Sequence, residues 1–310
     1  MLDYSPAQYT DTGMSDRIVR SVALLRRRGY AVGPARLAQL CLGGPVAEAE
    51  VRWAAAASNE LAIVHDLVLE RQGAGQAAAI FNRASGHSAH AATYIAMTQR
   101  FVRSLVAFAP FIRSVWIAGS LASGGFRESD DVDLNLVVDD RHRHLAYVAV
   151  NVLGLLHALA HRSKPVDDLT RRPVAPRLMT ANLILERSQV APLARVDEGM
   201  AFELLMSEPL FGVERFREIV DRNPGLLDHF PQLASKGAPY EIEPAPRARL
   251  PARLFPAAID GAARALGQAG WRYMQWTRRH RPDALARVAF VRETMRPYTL
   301  FDEEGQGEWR

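Results

Sequence analysis

Two pairs of residues in the middle of the chain have the types and spacing of a phosphate and metal site. The apolar run that ends at Ala118 is followed by Gly119 and Ser120, and ten residues later Asp131 and Asp133 open a second apolar run. Side chains two apart in a strand point the same way, so the two carboxylates would project from one face and share a divalent cation. Glycine lets the backbone approach a ligand closely, and serine adds a hydroxyl beside exposed amides. The pattern predicts a nucleotide carried with Mg²⁺, or with Mn²⁺.

This pattern resembles the DNA polymerase β-like nucleotidyltransferase superfamily, in which a hydrophobic-Gly-Ser step precedes Asp-hydrophobic-Asp-hydrophobic. The matching stretches here are Ala118–Ser120 and Asp131–Leu134. The resemblance implies a metal-dependent enzyme that moves a nucleoside monophosphate from a nucleoside triphosphate to a small molecule, a protein or an RNA, with release of pyrophosphate. The other interpretation is a solvated hairpin whose acids only face water. Two carboxylates at the mouth of a buried strand are costly without a cation, which favours the metal site.

The resemblance also implies a role for each motif residue. Asp131 and Asp133 are the expected catalytic residues and metal ligands. The expected nucleotide-binding residues are Gly119, Ser120, Ser123, Arg127 and Ser129. A small departure from the family pattern is Asp130, which stands before the first metal aspartate where related proteins tend to have serine.

A larger departure concerns the third carboxylate that such two-metal enzymes usually carry on a later strand. The strand-like run 177–186 offers Thr180 and Asn182 at its centre, and its only acid is Glu186 at the end. Other acids that could take the third position are Asp167, Asp168 and Glu203. Without a third acid the acceptor loses a general base. The alternative function is therefore a catalytically degenerate protein that binds nucleotide or a partner without turnover.

A second resemblance, covering residues 15–231, is to a stand-alone bacterial group of these nucleotidyltransferases that carries an N-terminal winged-helix-like region. In that group a Glu-Leu…Pro-Leu-x-Gly helix follows a strand that contains asparagine, and an Asn-Pro step leads to a Phe-Pro. The matching residues are Asn182, Glu203-Leu204, Pro209 to Gly212, Asn223-Pro224 and Phe230-Pro231. This group does not itself define the acceptor.

The N-terminal part has the outline of a winged-helix module. Helical spacing begins at Ser15 and recurs over 34–40 and 46–58, and an extended run follows over 61–69. The stretch 46–60, which contains the third of these helices, carries Arg52 as its only cation against three acids, which argues against reading DNA in the major groove.

The middle of the chain supplies the elements that must position the site. A long helix is predicted over 75–110, strands at both ends of 115–138, a buried helix over 145–160 and a strand over 177–186. His87 and His90 on the long helix are interpreted as packing residues rather than metal ligands. The predicted fold class is α+β, with a small mixed-sheet nucleotidyltransferase core. The predicted domains are 1–74, winged-helix-like; 75–236, core with flanking helices; and 237–310, linker and basic helical region.

Arginines and aromatic residues alternate in the predicted C-terminal helices. Trp271, Tyr273 and Trp276 precede Arg278-Arg279-His280-Arg281. Such a run can bind nucleic acid through stacking and phosphate contact, or it can be one packed face with solvated arginines opposite. The packing interpretation is favoured.

The composition restricts the class of protein. The chain has 310 residues, a net charge of +4 and a single cysteine, Cys41, which excludes an intramolecular disulfide framework and a cysteine-rich zinc site. The N-terminal residues do not have the pattern of a signal peptide, and the longest apolar run, 145–160, is shorter than the roughly 20 residues that span a bilayer. No membrane partner and a cytoplasmic location are therefore expected.

Overall fold

The computed structural model describes residues 11–159, 178–242 and 250–301. They form an α+β protein with a small mixed sheet, as the sequence predicts. The chain divides into two compact units. Unit 1 comprises the described residues up to Ser85 together with 197–205 and 224–236, and unit 2 comprises the remaining described residues. The sequence-based boundaries at 74 and 236 stay a prediction.

Unit 1 begins with three helices and a hairpin, in the order expected from the sequence. The helices are α1 (Asp11–Arg27), α2 (Pro34–Gln39) and α3 (Glu48–Ala57). Strands β1 (Leu61–Val64) and β2 (Leu67–Glu70) pair antiparallel, and a 3₁₀ turn (Arg71–Gln76) follows. His65 and Asp66 between the strands both have positive φ angles, as a type I′ hairpin turn requires.

Two later segments of the chain complete unit 1. They carry helix α7 (Glu198–Met206), helix α9 (Gly225–His229) and a 3₁₀ turn (Pro231–Ser235). The amide of Gly43 donates to the His229 carbonyl at 2.6 Å, and the buried rings of Phe202 and Phe230 lie 5.6 Å apart. The core of unit 1 therefore depends on residues far apart in the sequence.

Unit 2 is built on a four-stranded sheet. Its strands are β3 (Ile112–Ala118), β4 (Val132–Val138), β5 (Met179–Glu186) and β6 (Glu208–Phe211), in the order β5-β4-β3-β6. The β4–β5 pair is parallel, and the β3–β4 and β3–β6 pairs are antiparallel. A short helix, α5 (Gly119–Ser123), follows β3 directly.

Strand β6 corrects an expectation. The sequence predicts one helix through the Glu-Leu…Pro-Leu-x-Gly motif, but helix α7 ends at Met206 and β6 begins at Glu208, with Pro209 opposite Trp116. Proline has no amide hydrogen to donate, and an edge strand is the place in a sheet that tolerates it.

Helices cover both faces of the sheet. Helices α4 (Ala77–Phe108) and α6 (Arg143–Leu159) form the principal core with one face. On the other face Trp116 packs edge-on against Phe216 of α8 (Val213–Arg222), with ring centroids 5.5 Å apart. Between β5 and α7 the chain makes a 3₁₀ turn (Arg187–Gln189).

The last described elements include a helix that packs against α6. They are a 3₁₀ turn (Ala252–Leu254) and helices α10 (Ile259–Arg278) and α11 (Pro282–Met295). Asp260 at the start of α10 accepts hydrogen bonds from the His144 ring at 2.7 Å and from the Leu145 amide at 2.8 Å, which caps the first turn of α6. None of the helices in the described ranges is long and apolar enough to cross a membrane.

Candidate functional site

The site begins where β3 ends and the chain turns sharply into α5. Gly119 has a φ of +61°, in the left-handed region that L side chains rarely adopt. Gly124, with a φ of +92°, ends the short helix. The predicted strand and glycine turn are both present, but the first part of the expected loop is helical.

The pairing of β3 with β4 places Asp133 against this turn. Ala118 is the register partner of Asp133, so Gly119 lies beside the aspartate side chain. A Cβ atom added to Gly119 would stand 2.1 Å from Asp133 Oδ2. The carboxylate therefore occupies the space that any residue other than glycine would need.

Thr180 of β5 holds the same carboxylate from the other side. It is the register partner of Asp133 in the parallel β4–β5 pair, and its Oγ1 donates to Asp133 Oδ1 at 2.9 Å. Asn182 lies at the following irregularity, where the pairing skips from Ala181 to Leu183. From the sequence, Thr180 stands only where an acid is missing, because sequence alone does not give the β4–β5 register.

Asp131 immediately precedes β4, and its burial agrees with the prediction that Asp131 and Asp133 lie on one face and Val132 on the other. Asp131 and Asp133 are half-buried, and Val132 between them is fully buried. The Val132 amide donates to the Leu178 carbonyl at 2.8 Å, so pairing with the chain before β5 begins directly after Asp131. This pattern fits two carboxylates on the half-open face at the end of the sheet.

The other predicted nucleotide-binding residues lie in α5 and in the loop after it. Ser120 is buried at 6% exposure, and Ser123 donates its hydroxyl hydrogen to the Gly119 carbonyl at 2.5 Å, which closes the turn of α5. Arg127 is exposed and Ser129 half-buried. The Arg127 amide donates to Asp130 Oδ2 at 3.1 Å, so the aspartate that departs from the family pattern closes the turn before the metal-site motif.

Helix α4 anchors the loop between α5 and β4. His87 Nδ1 accepts a hydrogen bond from the Phe126 amide at 3.2 Å, and the Tyr94 ring packs on the Phe126 ring at 4.5 Å. His90 Nδ1 lies 3.4 Å from a Glu128 carboxylate oxygen. Burial lowers the pKa of His87, which favours the neutral ring that can accept this bond.

These contacts agree with the interpretation of the two histidines as packing residues, and both histidines contact the loop between α5 and β4. Together with Tyr94 they recur every three or four residues, which places them on one face of a helix. That spacing could have indicated that these three side chains contact the same segment of the chain.

One of the proposed third ligands, Glu186, is not brought to this pair. Glu186 is the register partner of Val138, five residues along β4 from Asp133, or roughly 16 Å at the rise of a strand. There it accepts a hydrogen bond from the Arg141 amide at 2.9 Å. Glu203 belongs to unit 1, where it pairs with Arg28 at 3.3 Å. Asp167 and Asp168 lie outside the described residues.

The two carboxylates of Asp131 and Asp133 suit a cation that is also bound by phosphate oxygens. Within the described ranges no group of three or more His, Cys, Asp or Glu side chains is placed to hold a metal ion. Mg²⁺ differs from metals that need a full protein cage, because it keeps several waters and takes one or two carboxylates plus phosphate oxygens. Asp131 and Asp133 beside the glycine turn fit that requirement.

Comparison of the chain with models of known protein families found no match, and neither did comparisons with curated proteins and with solved structures.

Proposed function

We propose that the chain is a metal-dependent nucleotidyltransferase of the DNA polymerase β-like superfamily, with unit 2 as its core and the first part of unit 1 as a winged-helix-like module. The observation that carries the proposal is the packing of the Asp133 carboxylate on Gly119. It joins the Gly-Ser turn and the Asp-x-Asp motif, which are separate in the sequence, at one end of one sheet.

Some residues of the site would bind the metal and the phosphates, and others would orient the residues that do so. Gly119 leaves room for the Asp133 carboxylate, the amides of the turn would face the phosphates, and Asp131 and Asp133 would hold Mg²⁺ bound to the phosphate oxygens. The ion supplies charge neutralisation on the triphosphate. Thr180 orients the Asp133 carboxylate through its hydrogen bond, and the α4 histidines with Tyr94 fix the loop that leads to Asp131.

The reaction exchanges one bond at the α-phosphorus for another. An acceptor oxygen bonds to that phosphorus while the bond to the bridging oxygen of the β-phosphate breaks, pyrophosphate leaves, and the acceptor proton passes to water. Positioning and electrostatics account for most of the catalysis in such transfers.

A second candidate function rests on a specific observation. The strand residue paired with Asp133 is a threonine, and the described residues provide no third acid at the site. A nucleotide-binding protein without turnover would have the same turn and aspartates and no general base.

Transfer of label from an [α-³²P]NTP separates the two candidates. The four Mg-NTPs would be incubated with the protein and with panels of RNA, protein and small hydroxyl-bearing acceptors, and both labelled products and pyrophosphate would be measured. Nucleotidyl transfer predicts label incorporation that falls at least about a hundredfold in Asp131→Asn and Asp133→Asn.

The matched control is Asp221→Asn, an exposed aspartate on α8, which should retain transfer. Tight nucleotide binding without pyrophosphate release would support the second candidate. Turnover that persists in both aspartate variants would contradict the proposed site.

A further inference from the structure

Helix α10 has two faces of different character. Ala263 and Gly267 on the inner face are buried, and a Cβ on Gly267 would stand 3.2 Å from the Tyr147 ring of α6. Trp271 continues this face and lies 6.3 Å from the Phe301 ring. The packing interpretation of the aromatic run is therefore right for Trp271.

The outer face carries two aromatic rings that the described residues leave exposed. Tyr273 is 47% exposed and Trp276 is 54% exposed. At about 100° per residue, Trp276 lies on the side of the helix opposite Gly267. The two rings lie nearly parallel, 27° apart, with centroids separated by 6.0 Å. Large exposed rings held in a common orientation provide a flat surface for another planar group.

A guanidinium group extends this aromatic surface. The Arg279 guanidinium carbon lies 4.2 Å from the centroid of the Trp276 ring, and its Nη1 donates to the Trp276 carbonyl at 2.7 Å. The cation is therefore fixed at the end of the row Tyr273–Trp276–Arg279, instead of extending freely into solvent.

The charge of this part of the chain has one sign. Residues 261–281 include five arginines and no aspartate or glutamate. The nearest acid toward the N-terminus, Asp260, is engaged by His144 and the Leu145 amide at the other end of the helix. A ligand that complements this surface is an anion with flat apolar groups.

We propose that the row Tyr273–Trp276–Arg279 is a binding site for single-stranded nucleic acid. Unpaired bases stack on the two rings, and arginines of α10 contact the phosphates. A duplex fits poorly, because its bases are already stacked and hidden. An anionic membrane fits less well, because an interfacial helix needs a broad apolar face and this one has arginines beside its rings. The proposal does not depend on nucleotidyl transfer.

Fluorescence anisotropy of the full chain with labelled oligonucleotides of about 20 nucleotides tests the proposal. The probes are mixed-sequence single-stranded RNA, the same sequence as DNA, and the matching duplex. Single strands of either sugar should bind more tightly than the duplex. Tyr273→Ala/Trp276→Ala should weaken binding at least about tenfold without changing the charge. Trp53→Ala, which removes a 58% exposed tryptophan from α3, should bind like the wild type.

A second variant keeps the test valid if the double ring variant unfolds. Arg272→Gln/Arg279→Gln retains both rings and should reduce the slope of log K against log salt by about 0.7 for each lost phosphate contact. The proposal is overturned if the ring variant binds single strands like the wild type or if the duplex binds equally well. It is also overturned if only phosphatidylserine vesicles bind in parallel flotation assays.

Discussion

Asp133 is held from two sides, and these contacts define the candidate site at the scale of single residues. Gly119 leaves room for the carboxylate, and Thr180 donates a hydrogen bond to it. The types of these residues are visible in the sequence, but their contacts depend on two strand registers. The sequence therefore predicts the presence of a site here and not the residue that orients its carboxylate.

Alanine at position 119 should disrupt the site more than alanine at position 124. Both glycines have positive φ angles, so each substitution costs about 1–2 kcal/mol of backbone strain. The Cβ of Gly119→Ala would also displace the Asp133 carboxylate, whereas nothing lies within 4 Å of a Cβ on Gly124. Chemical denaturation should show a larger loss of stability for Gly119→Ala than for Gly124→Ala. Titration with Mg-ATP should show at least about a tenfold loss of affinity for Gly119→Ala and no such loss for Gly124→Ala. Equal losses of stability and affinity in the two variants would show that the contact with Asp133 does not cause them.

Thr180 should act by orienting Asp133. Thr180→Val keeps the shape of the side chain but removes the donor, and loss of such a supporting hydrogen bond typically reduces metal affinity or activity by about 10- to 100-fold. Thr180→Ser should restore most of the loss, because it restores the hydroxyl. Mn²⁺ binding in the presence of nucleotide, followed by electron paramagnetic resonance, measures this directly. A valine variant with unchanged Mn²⁺ affinity would rule out the orienting role.

At the scale of elements, the sequence predicts the long and periodic segments best. The helices beginning near 15, 34, 46, 75 and 145 and the strands around the motif are present with end points shifted by a few residues. Strand β6 is missed because it is short and contains Pro209, and its pairing with β3 comes from tertiary contacts. The hydrogen bond from Phe126 to His87 is missed for the same reason, since 39 residues separate its partners.

Acidification should loosen the loop that α4 anchors. Burial lowers the pKa of His87 below its ordinary value of 6.5, so between the two pKa values the unfolded chain binds more protons than the folded chain. The stability that the neutral ring provides is complete above pH 6.5 and is lost as the pH falls through the folded pKa. The hydrogen-exchange protection factor of the Phe126 amide should therefore fall between about pH 7 and about pH 5.

Two variants assign this pH response to one histidine. His87→Gln should show a flat protection factor, because glutamine accepts the hydrogen bond without titrating in this range. His90→Gln, which changes only the contact with Glu128, should keep the pH dependence. A wild-type protection factor that does not respond to pH would show that His87 does not control the loop.

At the scale of the whole molecule, unit 1 is assembled from distant parts of the chain. Residues 197–205 and 224–236 join the N-terminal helices in this unit. The local periodicity of the sequence does not indicate that Phe230 is buried in the same unit as helices some 200 residues earlier in the chain. Such contacts form only in the folded state.

Phe230→Ala should therefore destabilise the N-terminal helices. The ring is fully buried, and removal of a buried phenylalanine side chain costs about 3–5 kcal/mol. Phe81→Ala is the control, because that ring is 47% exposed and its loss should change stability by about 0.5 kcal/mol or less. Hydrogen exchange measured by mass spectrometry should show faster exchange in α1 and α2 only for Phe230→Ala. Unchanged protection there would contradict the assembly of unit 1 from these segments.

Isothermal titration of the full chain with each of the four Mg-NTPs tests whether Gly119, Asp131 and Asp133 form a site for a nucleotide with Mg²⁺. At least one Mg-NTP should bind, and this binding should weaken about tenfold or more in Asp133→Asn, be lost when EDTA removes the metal, and be unchanged in Asp221→Asn. Absence of binding for all four nucleotides, or binding of equal strength in Asp133→Asn and Asp221→Asn, would show that these residues do not form such a site.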